Sequence, residues 1–185
     1  MITEPLYWKT DLLRQSSALE KRRTQKRWSE ASFARCEQTI FIGFYSVRKL
    51  IESKKLTNVV AASSFQIRSY PPTGKAVTFM NYHKVDELYD LDKPKEHSIN
   101  LINLCHQFIH SYVFSLVFDE DDALSAVWVA SDYQRSKALI EIPLATIIGI
   151  FETVASDDIR SMRGIFDPEK GDYLIENFPP DKEMQ

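Results

Sequence analysis

Ser111-Tyr112-Val113-Phe114-Ser115-Leu116-Val117-Phe118, then Asp119-Glu120-Asp121-Asp122-Ala123, then Leu124-Ser125-Ala126-Val127-Trp128-Val129-Ala130-Ser131: two apolar runs flank a short acidic break. Both runs are rich in β-branched and aromatic residues, and neither holds a proline or a charge, which is the pattern of paired strands. The expected element is an antiparallel hairpin with its loop at 119–123. If residues whose numbers sum to about 242 lie opposite each other, large side chains meet small or aromatic ones. Tyr112 then faces Ala130, Phe114 faces Trp128 and Leu116 faces Ala126, with Val113–Val129 and Ser115–Val127 on the other side. A slip of one residue would swap the faces of one strand relative to the other. Both faces come out apolar, whereas an antiparallel sheet that meets water carries polar residues on that side. Helices therefore cover both faces, or one face is a subunit interface. The second option makes a homodimer the expected oligomer.

Outward from the hairpin, 138–142 reads as a third strand, and Pro143 suits the first turn of a helix because its missing N–H is no loss there. Leu144, Ile147, Ile148, Phe151 and Val154 form one stripe of that helix, which ends near Ser156. Upstream, Ser98 is the expected cap of a helix from Ile99 to His110, with Leu101, Leu104, Cys105 and Phe108 on its apolar side. Residues 86–97 read as a connection, and 64–81 as a hairpin turning at Pro71-Pro72-Thr73-Gly74. Two helices open the chain, Leu6 to Arg27 and Ser32 to Lys55. The second carries Phe33, Cys36, Ile40, Phe44, Val47 and Ile51 on one face, with Ser29 as an N-cap before it. The tail 157–185 is acidic and weakly patterned, with a short strand at Tyr173-Leu174-Ile175. The expected fold is a single α+β domain: a helical pair over 1–56, an antiparallel sheet of about five strands with packed helices over 57–156, and the partly irregular tail.

Composition agrees with an ordinary globular domain: 185 residues, 44% hydrophobic and 26% charged. Cys36 and Cys105 are far apart and form no CxxC or ladder spacing, so they read as buried small hydrophobes in a reducing compartment. The first residues lack a basic segment followed by an apolar one, and the longest apolar run, Ile40 to Tyr45, is far short of the about 20 residues a membrane span needs. A cytoplasmic location is expected. The net charge of −3 conceals an asymmetry: residues 1–60 hold 12 Lys/Arg against 6 Asp/Glu, and 61–185 hold 11 against 20. A basic end of this kind steers nucleic acid or an acidic partner, or meets the acidic end of another subunit.

Three stretches are candidates for chemistry. Lys21, Arg22, Arg23, Lys26 and Arg27, beside Trp28, could grip a phosphate backbone with an aromatic to stack on. The same cations also suit a solvated helix C-terminus. His106-Gln107-Phe108-Ile109-His110 has the spacing of the zinc-protease frame HExxH, but Gln107 stands at the position of the base, and an amide cannot take a proton from a metal-bound water. No metal or cofactor is expected. In the third, His110 and Asp132 lie opposite each other at the open end of the hairpin, as a catalytic imidazole and the carboxylate that orients it. Arg135 and Lys137, brought to the same edge by the next turn, would hold an anion, with Ser111 and Ser131 as hydroxyl partners. Asp132 also suits a turn start and His110 a helix end without any ligand. The Pro72-Thr73-Gly74-Lys75 segment lacks the frame of a phosphate loop, and Asp119 to Asp122 lack the spacing of a calcium loop.

Two functions from different classes are consistent with these residues. One is a non-enzymatic, homo-oligomeric interaction protein whose basic N-terminal helix contacts an acidic partner or nucleic acid. The other is a small enzyme or ligand-binding protein with an anionic substrate held near His110, Asp132 and Arg135.

Overall fold

Proline, capping serines and apolar stripes form the helical pair that opens the chain. In the computed structural model, which describes residues 1–180, α1 spans Pro5–Arg22 and α2 spans Glu30–Glu52. The expected continuation of α1 to Arg27 does not occur. Ser29 is extended and forms a reciprocal cap with Ser32, whose hydroxyl accepts the Ser29 N–H at 2.7 Å. That cap starts a new helix at Glu30, so the chain must leave the first one beforehand. Cys36, Ile40, Phe44, Val47 and Leu50 then bury one face of α2 almost completely.

After the short α3 (Asn58–Ala61), β1 (Ser64–Tyr70) pairs with β2 (Lys95–Asn100) rather than with 76–80. Asn81 explains the difference: its side chain accepts the Thr78 N–H at 2.7 Å and donates to the Ala76 carbonyl at 2.9 Å. These local bonds take the backbone groups a strand would need. The excursion 71–94, with the short α4 (Val85–Leu88), instead lies over the sheet, where Val85, Leu88 and Tyr89 pack against Val113, Ala130 and Leu139.

Helix α5 (Leu101–Ile109) is capped by Asn100, whose side chain accepts the Asn103 N–H at 2.8 Å; Ser98, the expected cap, is inside β2 opposite Gln66. The hairpin forms as β3 (Ser111–Phe118) and β4 (Leu124–Ser131), followed by β5 (Leu139–Pro143) and α6 (Leu144–Ser156). Its two ends have the expected alignment, Ser111 opposite Ser131 and Phe118 opposite Leu124. Between them the register is displaced by one residue: Phe114 faces Val129, Ser115 faces Trp128 and Leu116 faces Val127. Tyr112 bulges out of β3 and Ser125 out of β4, so the two shifts cancel.

The five strands run β2-β1-β5-β4-β3, every pair antiparallel. One face of this sheet, with Ile67, Val127, Val129, Ile140 and Ile142, buries itself under the helices around Phe44, Phe108 and Phe151. The other face is covered over part of its area by 71–94. On its remainder Glu141 accepts hydrogen bonds from the Tyr70 hydroxyl at 2.7 Å and the Trp128 indole at 2.8 Å, which ties β5 to both neighbours.

The tail is more regular than its composition suggested. β6 (Ser161–Asp167) and β7 (Asp172–Phe178) form a separate two-stranded ribbon. Its base is held by Asn177, which donates to the carbonyls of Lys54 and Leu56, and by Asp157, whose carboxylate accepts from the N–H and hydroxyl of Thr57. Residues 181–185 of the expected tail lie outside the described residues. Among the described residues no helix is long and apolar enough to cross a membrane.

Candidate functional site

A polar cleft of about 740 Å³ opens between β2, α5 and the turn that follows β4. Helical spacing builds its main wall. Burying Leu101, Leu104, Cys105 and Phe108 leaves Asn103, His106, Gln107 and His110 together on the other side of α5, and all four line the cleft. His97 and Asn100 come from β2, Ser131 from the end of β4, and Asp132, Tyr133 and Gln134 from the turn. Three of the four histidines of the chain thus meet in one place.

The turn is locked to the helix. Gln107 accepts the Ser131 N–H at 3.1 Å, and the buried Ser131 hydroxyl accepts the Gln134 N–H at 3.2 Å. With Asn100 capping α5, this uses the carbonyl oxygens of Asn100 and Gln107 and leaves their NH2 groups to donate elsewhere.

His106 contacts the Arg48 guanidinium through Nε2. Arginine only donates, so Nε2 is the acceptor and the proton is on Nδ1. Burial, the Arg48 charge and His110 hold the imidazole below the usual histidine pKa. The unfolded chain, with His106 near an ordinary value of about 6.5, then binds more protons than the folded one as acid is added. Stability contributed by neutral His106 is present above that value and is lost as pH falls through it toward the lower folded pKa. Urea melts from pH 7 to pH 5 should therefore show falling stability, with a shallower fall in His106→Gln, which keeps an acceptor for Arg48 but does not titrate. Equal slopes in the two proteins would refute this.

Asp132 and His110 are opposite each other as expected, joined by a backbone bond from the Asp132 N–H to the His110 carbonyl at 2.9 Å. The Asp132 carboxylate, however, pairs with Arg135 at 3.2 Å. The expected anion-holding group is not assembled. Arg135 lies over the Tyr112 ring at 3.7 Å, Lys137 lies over the Tyr133 ring at 3.3 Å, and neither lines the cleft. Ser111 borders a different, apolar groove with Phe41, Ile42 and Tyr45. The bulge at Tyr112 is the physical reason for the Arg135 placement, because it supplies an aromatic face beside the turn that attracts the guanidinium. His97, Asn100 and Tyr133 were missed as cleft residues: His97 reads as part of a charged connection, Asn100 as part of the α5 helix rather than the end of a strand, and nothing in the turn after β4 marks Tyr133.

The basic segment is dispersed. Arg22 bonds to Gln25 and lies 5.8 Å from the Trp28 ring, Arg23 pairs with Glu20, and Lys26 reaches the Asp121 carbonyl. With α1 ending at Arg22, Lys26 and Arg27 are off the helix and share no helical face with Lys21. Trp28 packs between Phe33 and Phe118, with ring centroids 5.1 and 5.2 Å away, so its ring is engaged within the protein.

Among the described residues no cluster of three or more His, Cys, Asp or Glu side chains could hold a metal. Both thiols are buried, and burial pushes Cys36 up to about 11 and Cys105 up to about 12, so neither is a thiolate nucleophile at neutral pH. No protein-family model, curated protein or solved structure matches this chain.

Proposed function

We propose that this chain is an intracellular binding protein whose three-histidine cleft holds a small, uncharged molecule rich in hydroxyl or amide groups. The observation that carries the reading is the composition of the lining. Asn100, Asn103, Gln107 and Gln134 supply four amides beside three imidazoles, and no lysine or arginine lines the cleft among the described residues. The NH2 groups of Asn100 and Gln107 are left to donate, and Asn103 and Gln134 offer a donor and an acceptor each, which is what a hydroxyl needs. An anion would instead call for a fixed, uncompensated cation, whereas Arg135 is neutralised by Asp132 and held against Tyr112, and Lys137 is held against Tyr133. The volume is within the roughly 300–1,000 Å³ of small-molecule sites. The pairing of Asp132 with Arg135 favours binding over acid–base catalysis by His110. The two buried, unpaired cysteines support a reducing compartment.

Histidine ring resonances offer a direct test. Titration with glucose or N-acetylglucosamine should shift His97 and His110 saturably while His83, outside the cleft, stays still. Inorganic phosphate should leave all of them unmoved. Asn103→Ala should weaken the sugar titration about tenfold, the loss of one uncharged hydrogen bond. Saturable shifts with phosphate alone, or with none of these probes, would refute the proposal.

A further inference from the structure

The two edges of the sheet are unlike. β2, at one end, has six residues, follows Pro94 and exposes Lys95 and Glu96. Proline and charge are the devices that stop a strand edge from recruiting another strand. β3, at the other end, has eight residues with no charge and no proline, and β4 is its sole strand neighbour among the described residues. Its bulge is near one end, so Val113 to Val117 form a regular stretch opposite Ala126 to Ala130. The free edge of this stretch carries backbone donors and acceptors ready for a partner.

We propose that β3 pairs antiparallel with β3 of a second copy of this chain, joining two five-stranded sheets into one. Charge selects this occupant. About a two-fold axis, residues near the centre of the strand oppose themselves or a near neighbour, an arrangement that repels charged side chains and suits an uncharged strand. The helical layer matches in the same way. Beside Ser111, at the start of β3, is a groove of about 340 Å³ lined by Phe41, Ile42, Tyr45, Phe108 and Ile109. At the other end of the strand, Phe118 contacts Phe33, which is 41% exposed. Antiparallel pairing sets the start of each β3 against the end of the other, so the groove of each copy faces the Phe33 end of its partner. Eight residues at roughly 3.3 Å each give a contact about 26 Å long. Across a sheet and a helix layer of about 10 Å each, this gives about 520 Å² per partner, or about 1,040 Å² in all, just over the about 1,000 Å² that a biological interface needs. The surface is independent of the cleft, and its test says nothing for or against ligand binding.

Sedimentation of the full chain is the experiment. The wild-type protein should sediment at twice the chain mass at concentrations of about 50 μM and above. Ser115 is half-buried at the middle of the strand. Ser115→Lys and Ser115→Glu should each be monomeric because like charges face each other, and mixing the two should restore a dimer. Ile42→Glu, at a 55% exposed position, should weaken dimerisation at least tenfold without touching the strand. Amide exchange of residues 113–117 in the wild-type chain gives a readout that needs no variant, and it should slow as concentration rises. A monomeric wild-type chain, a dimer that survives both charged variants, a mixture that stays monomeric, or exchange insensitive to concentration would overturn the proposal.

Discussion

Gly43→Ala is expected to destabilise this protein by about 2 kcal/mol, although alanine is the better helix former by about 1 kcal/mol. Gly43 is buried in α2 where α1 and α6 both approach it. A Cβ added there would overlap the Phe151 ring and stand 2.9 Å from the Gln15 side-chain oxygen. Overpacking of a dense core costs roughly 1–3 kcal/mol or somewhat more, which outweighs the propensity gain. Chemical denaturation of Gly43→Ala, of Phe151→Leu and of the double variant separates the two effects. Phe151→Leu should itself destabilise through lost volume, but the double variant should be more stable than the sum of the single changes by about 1 kcal/mol, because the smaller side chain relieves the overlap. A Gly43→Ala protein more stable than the parent would show that helix propensity wins and that α6 can move aside.

Phe44→Ala should be more damaging, at about 4 kcal/mol. The ring is fully buried, stacked on Phe108 with centroids 3.9 Å apart and edge-on to Phe151 at 5.3 Å. It joins α2 to α5 and α6, and its removal leaves a cavity with rigid aromatic walls that cannot collapse into it. Against a total stability of about 5–15 kcal/mol for a domain, this is enough to leave the chain partly unfolded at 37 °C. Phe79→Ala is the matched control. That ring is 78% exposed in the 71–94 excursion, and its loss should change stability by less than about 0.5 kcal/mol. Similar losses in the two variants would contradict the placement of Phe44.

The exposure of Phe79 was not legible beforehand, because 76–80 reads as a hairpin strand that does not form, whereas the burial of Phe44 was, since it sits on a helical stripe. The same is true of α6 after Pro143, of the hairpin β3–β4 and of both its ends. Its middle was not legible. Pairing by side-chain size put Phe114 against Trp128, but the bulges at Tyr112 and Ser125 move Trp128 to the face opposite Phe114, where its indole reaches Glu141. A bulge is a backbone event that strand propensity does not encode. In the cleft, His110, Asp132 and Ser131 could be placed together because one hairpin joins them. His97 could not, because it arrives on a strand that reads as charged connection, and Asn100 reads as part of the helix it in fact caps from the end of that strand. Arg135 and Lys137 were near enough in sequence to look like anion holders, but aromatic rings nearby claimed both.

By itself the sequence determined what local chemistry can: which segments bury one face, where Ser29 and Pro143 start helices, that an acidic break between two uncharged strands makes a hairpin, and so the α+β class. Only the tertiary structure decided which strand lies beside β1, how far β3 slides against β4 and which polar side chains share a cleft. Those outcomes depend on contacts between residues far apart in the chain, where competing pairings differ by few hydrogen bonds and shape complementarity selects among them.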